Sequence, residues 1–136
     1  QQEISDAYAC REALEHLAVA ECIQNLDEQD IQNLYDLIER YRQASDSTDI
    51  FTASQQFDSY LYSLAGNQIL RNLLDMLKGI ISRDRKYSSS NVERRHAIYE
   101  EHKLIIQALE ARDVAAAQQA ISTHIRNGRK FMEQKG

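Results

Sequence analysis

Residues 51–67 read FTASQQFDSYLYSLAGN, and the fold follows from the period of this stretch. Steps of three and four from Phe51 reach Ser54, Asp58, Leu61 and Ala65, with Phe57 and Leu64 beside them. Side chains at those spacings share one face of a helix. The stripe that should meet the core therefore carries a hydroxyl, Ser54, and a carboxylate, Asp58. A buried carboxylate without a partner is costly, so another segment must face Asp58.

Working outward, Ser45 to Asp49 reads as a short polar connection able to cap this third helix. Gly66 is its natural stop. Before it, Asp27 is an N-cap for a helix over about Glu28 to Ala44, with Ile31, Leu34, Ile38 and Tyr41 on its buried face. The first helix runs from about Ile4 to Asn25. Its stripe includes Ala7, Leu14, Leu17 and Ala18, and Arg11 lies within it. Arg11 either snorkels to the surface or points into a cavity and meets an acid.

After Gly66, Asn67 can cap a fourth helix over about Gln68 to Arg83. Its apolar positions, from Ile69 through Ile81, nearly encircle it, which predicts the most buried, central helix. RDRKYSSSN follows and reads as a loop or frayed junction. The fifth helix spans about Val92 to Ala111, with Ile98, His102, Ile105 and Leu109 on one stripe. Asp113 caps the sixth, about Val114 to Glu133, whose stripe is Val114, Ala117, Ile121, His124, Gly128 and Phe131. The expectation is an all-α protein, an antiparallel bundle of about six helices.

The totals agree. The chain has 136 residues, no Pro and four Gly, too little turn punctuation for a strand-rich domain. No apolar run approaches the roughly 18 residues of a membrane span. The net charge of −5 argues against this segment gripping nucleic acid by itself. Cys10 and Cys22 fall on one helix about 18 Å apart, beyond disulfide reach. They are read as small core residues in a reducing, cytoplasmic compartment. The chain opens on Gln1, and a fragment lacking an N-terminal domain is expected.

Asp58, His102 and His124 are ionisable residues on the inward stripes of three separate helices. A carboxylate with two neutral imidazoles is a ligand set for zinc, iron, nickel or manganese. The alternative is a hydrogen-bonded Asp–His network in the core.

The same segments carry a family resemblance. REALEHLAVAECIQNL, FDSYLYSLAGN and EHKLIIQALEARDVAAAQQAISTHI resemble three patterns of the C-terminal effector-binding (FCD type) domain of GntR-family, FadR-subfamily transcription regulators. In the last, His102 and His124 match by position. The resemblance implies a helical bundle that binds a small carboxylate or sugar acid, and in many members a divalent metal held by one Asp and three His. Here Asp58 stands at a His position and Ser54 at the Asp position, so one strong ligand is lost. The implied metal ligands are Asp58, His102 and His124. The implied effector-binding set is Arg11, Ser54, Asp58, Asn67, Arg83, His102 and His124, with Asn67 also read as a plain helix cap. The resemblance further implies a homodimer. DNA binding would reside in an N-terminal winged-helix domain, with residues 1–136 forming the effector domain.

Three functions follow from this reading. The first is a ligand-sensing domain without enzymatic activity, with one divalent metal or none. The second is a metal-dependent enzyme with a two-His, one-carboxylate centre, against which no separate nucleophile or phosphate-cradling loop is found. The third is a purely structural or oligomerising bundle.

Overall fold

The computed structural model describes residues 2–135, and side chains up to Gln134. It contains six helices: α1 (Gln2–Asn25), α2 (Glu28–Gln43), α3 (Ser47–Leu64), α4 (Gln68–Ser89), α5 (Val92–Glu110) and α6 (Val114–Lys135). No strand occurs among the described residues.

Short polar caps set the helix starts. Asp27 accepts from Asp30 N at 2.9 Å, and the Asp30 side chain returns the bond to Asp27 N. Asp46, Asn67, Asn91 and Asp113 each accept from the backbone N–H three residues on. Each bond satisfies a donor that the first helical turn leaves unpaired. Asp46 thus starts α3 four residues earlier than the Phe51 opening suggested. Gly66 ends that helix at φ 70°, a left-handed position that favours glycine.

The chain runs back and forth, with hydrogen bonds fixing the directions. Tyr8 pairs with Asp84, and Glu21 with Asn67, so α1 and α4 are antiparallel. Gln118 reaches His16, Arg126 reaches Glu12 and Arg129 reaches Ser5, which makes α6 antiparallel to α1. Leu34, Leu61, Leu74, Ile105, Ile106, Leu109 and Ile121 form the main apolar core, and a smaller cluster gathers Tyr41, Ile50, Ala53 and Ile98.

Four expectations are corrected. The RDRKYSSSN stretch is not a loop: α4 continues through Ser89. It contains no Gly or Pro to stop it, and Ser89 Oγ folds back onto Arg85 O at 3.1 Å. Nor is α4 enclosed on all sides: Leu70, Leu74, Leu77 and Ile81 are buried, while Ile69 and Met76 stand 74% and 58% exposed. Leu17 on α1 is also exposed; Ala7, Arg11 and Ala18 of the expected stripe are buried, and Tyr8, Glu15, Val19 and Cys22 complete the inner face of that helix. Cys22 is buried as expected, whereas Cys10 lies on the surface.

Candidate functional site

The polar residues of the interior collect where the two apolar clusters meet. A cavity of about 40 Å³ lies there, walled by Tyr8, Arg11, Tyr41, Ser54, Arg85, Ser88, Ser89, Arg94, Ile98, His124, Ile125 and Gly128. The wall draws on every helix of the bundle. At roughly 10–15 Å³ per water-sized sphere, it has room for a few waters or a carboxylate group. A larger acid requires the helices to part. Gly128 matters here, since a Cβ at that position would stand 3.4 Å from Arg94 Nη2.

Three arginines face this space, each anchored by an acid. Arg11 Nε donates to Glu15 Oε2 at 2.5 Å, and Tyr62 OH donates to the same oxygen at 2.7 Å. Arg94 Nη1 donates to Glu101 Oε2 at 2.8 Å, and Glu101 Oε1 lies 2.6 Å from His124 Nδ1. Asn127 Nδ2 also donates to Glu101, at 2.9 Å. Arg85 Nη2 lies 2.6 Å from Asp58 Oδ2 and donates to Ser54 Oγ at 3.1 Å. Arg11 Nη2 is a second cation for Asp58, at 3.9 Å. The partner that the α3 stripe demanded is therefore a pair of guanidiniums.

These pairings set the charge states. Burial alone would raise the Asp58 carboxyl, but Arg85 and then Arg11 outweigh it and hold the group well below the usual carboxylate range. Burial likewise works against ionised Glu101, yet its bonds to His124 and Arg94 bring it down to about 2. His102 moves the opposite way for a base. Burial, reinforced by His124, pushes it well below its ordinary value despite the opposing pull of Asp58. Its ring stacks on Phe57 at 4.1 Å and meets the His124 ring edge-on at 4.7 Å. His102 is thus a neutral imidazole, and its Nδ1 is buried without a hydrogen-bond partner.

Of the residues expected at the site, Arg11, Ser54 and His124 line the cavity. Asp58 and His102 are buried but not on its wall; Arg85 and Ser54 stand there instead. Asn67 sits at the start of α4, capping Leu70 N and donating to Glu21 at 3.3 Å, so the helix-cap reading holds. Arg83 is exposed. Arg85 takes the inward place because α4 continues, and two residues further along a helix is most of the way to the opposite face. Arg94 and Glu101 were missed as well. Arg94 lies in the first turn of α5, and Glu101 directly precedes His102. Reading α5 with His124 as the target would have exposed Glu101 as its partner.

The donor set implied for a metal fits poorly. Asp58 Oδ2 faces a guanidinium, and Ser54 accepts from the same guanidinium. Among the described residues no three His, Cys, Asp or Glu side chains form a group able to hold a metal ion. His102 Nδ1 is a free buried donor atom, but a single one. The two-His, one-carboxylate centre on which the enzyme alternative relied is not assembled.

Comparison with known proteins agrees with this architecture. The sequence profile of the FCD domain matches residues 6–127. A Bacillus subtilis (strain 168) protein described as the uncharacterized HTH-type transcriptional regulator YdhC is 27% identical over 127 residues, covering 90% of this chain and 57% of that protein. The chain therefore spans little more than half the length of this curated relative. Among solved structures, E. coli McbR/YncC superposes with a TM-score of 0.90 at 22% identity, over 100% of this chain and 70% of that one. A GntR family member from Pseudomonas syringae pv. tomato str. DC3000 superposes at 0.80 and 22% identity, over 98% and 58%. These two likenesses are of fold.

Proposed function

Because the chain belongs to the FCD domain family, we propose that it is the ligand-sensing domain of a GntR-type transcription regulator and takes a small carboxylate in the arginine-lined cavity. The observation that carries this reading is the convergence of Arg11, Arg85 and Arg94 on one cavity. Guanidinium groups only donate hydrogen bonds, and their planar forks match carboxylate oxygens. All six helices contribute to the wall, so an occupant meets side chains from each of them. A ligand that prefers one arrangement of the helices shifts their population. The regulator would transmit that shift to a DNA-binding domain outside this segment, in the cytoplasm. No helix among the described residues is long and apolar enough to cross a membrane.

A thermal-shift panel of small carboxylic and sugar acids tests the reading. A specific acid at a hundredfold excess over its dissociation constant should stabilise the fold by about 2.7 kcal/mol, several degrees for a domain of this size. Arg94→Gln should remove most of that response. If no acid shifts the transition, with or without added zinc, the reading fails.

The regulator is further proposed to be a homodimer, joined through the α1–α4 face by a second copy of this chain. Leu17 on α1 and Ile69, Leu73 and Met76 on α4 are exposed on two adjacent antiparallel helices. Such a ribbon can meet its own two-fold image, each α1–α4 pair covering the other. Exposed apolar side chains on two neighbouring helices suit an association surface, and a partner there would account for the apolar outer side of α4. The full-length regulator should sediment as a dimer. Met76→Glu should weaken association by about a hundredfold or more, the equivalent of about 2.7 kcal/mol. A wild-type monomer at tens of micromolar would refute the assignment.

A further inference from the structure

The fixed cation of this pocket is a side chain. We infer that Arg85 stands in the place a metal ion would need, so that the pocket binds its small acid on guanidinium groups with no metal between. This deepens the sensing reading above and rests on it for the nature of the ligand.

Ser54 and Asp58 are one turn apart on the inward stripe of α3, and the Arg85 Nη2 atom bridges them, at 3.1 Å from Ser54 Oγ and 2.6 Å from Asp58 Oδ2. Asp58 is the carboxylate that a cation would have to recruit, and Arg85 and Ser54 line the cavity while Asp58 does not. A metal there would have to displace a buried ion pair. It would also lie among Arg85, Arg11 and Arg94, three positive groups that repel it. The acids cannot offset that, because each is already committed: Glu15 to Arg11, Glu101 to Arg94 and His124, and Asp58 to Arg85.

Among the described residues, four buried side-chain polar atoms have no hydrogen-bond partner; Asp58 Oδ2 and His102 Nδ1 belong to residues off the cavity wall, and the two on the wall point to an anion. Arg85 Nη1 and Arg94 Nε are buried N–H groups without a partner, and both residues line the cavity. An N–H donor cannot ligate a cation, whereas two of them facing one space suit the oxygens of a carboxylate. Buried donors are rarely left unpaired, and a ligand's oxygens would satisfy both. The continuation of α4 past Arg83 is what delivers Arg85 to this place. The segment that reads as a loop in the sequence is thus the element that decides between metal and guanidinium.

The experiment has two arms on the full-length protein purified without chelator. In the first, zinc chloride and nickel chloride are titrated calorimetrically into wild type, His124→Ala and Arg85→Ala. Wild type and His124→Ala should bind both metals alike, weakly, through surface groups. Arg85→Ala, which frees Asp58, should gain at least about tenfold in zinc affinity, and adding His124→Ala should cancel the gain. One tightly held metal in wild type whose affinity falls at least tenfold in His124→Ala overturns the inference and leaves the sensing reading intact. That measurement needs no Arg85 variant, so it stands even if Arg85→Ala fails to fold. No zinc gain in a folded Arg85→Ala also counts against the inference.

In the second arm, acetate and pyruvate are the probes, followed by thermal shift with and without EDTA. The response should be unchanged by EDTA and at least about tenfold weaker in affinity in Arg85→Gln, which keeps the side-chain bulk. A response that requires metal overturns the inference. No response to any small acid, with the metal arm as expected, sinks the small-acid reading. The place of Arg85 as the pocket's cation then stands on the first arm alone.

Discussion

Arg11→Met is expected to cost about 3–5 kcal/mol of folding stability, the range for removing one partner of a buried ion pair. The methionine approximates the aliphatic stem, so the loss isolates the guanidinium. Arg11 and Glu15 side chains are only 6% and 2% exposed. Without Arg11, Glu15 keeps a single neutral partner, the Tyr62 hydroxyl, and Asp58 keeps Arg85 alone. Desolvating a carboxylate with so little compensation is the dominant penalty. For a domain of this length the thermal midpoint should fall by roughly 10–20 °C. Adding Glu15→Gln removes the orphaned charge while leaving an acceptor for Tyr62. The double variant should therefore be more stable than Arg11→Met alone, with a coupling of about 1–3 kcal/mol. Urea denaturation of the four proteins measures the cycle. A loss under about 1 kcal/mol for Arg11→Met, or additive behaviour, would mean that the ion pair is solvated in a way its burial does not suggest.

The same network shows how far the sequence could be read. Periodicity alone placed Arg11, Asp58, His102 and His124 on inward faces, and all four are buried. It also demanded a partner for Asp58, because the cost of an unpaired carboxylate does not depend on knowing the fold. What it could not supply was the identity of that partner. Arg83 and Arg85 both follow the apolar run of α4, and a two-residue difference changes the face by some 200°. The choice depended on where α4 ends. Serine-rich sequence has weak helical preference, and tertiary contacts override it here: Arg85 on Asp58, and the Tyr87 ring 5.7 Å from that of Phe131. The exposed side of α4 was hidden for a related reason. An apolar surface reads the same in a sequence whether its cover comes from its own chain or from another. Leu17 misled in the same way, on the neighbouring helix.

Acidification should destabilise the fold in two stages, and His102 should account for the first. Its ring is buried between Phe57 and His124, with Tyr41, Asp58, Glu101 and Arg85 as its other aromatic and charged surroundings. In the folded state it stays neutral well below its ordinary value. In the unfolded chain it takes up a proton near pH 6.5. Below that pH the unfolded state binds one proton more than the folded state, so stability falls as pH falls. The slope from this group is about 1.4 kcal/mol per pH unit. Stability from His102 is fully present above pH about 6.5 and declines toward its depressed folded value. The second stage belongs to Asp58 and Glu101, whose folded values are lowered by their arginine and histidine partners. For these carboxylates stability is present above the unfolded values near 4 and is lost as pH drops from there through their lowered folded values. His102→Gln removes the first stage only. It should be less stable than wild type at pH 7, because Phe57 loses its stacking partner, yet lose less on going to pH 5. Urea denaturation at pH 7, 6, 5 and 4 gives both curves. Parallel curves between pH 6.5 and 4.5 would show that the buried imidazole is not the group that couples this fold to protons.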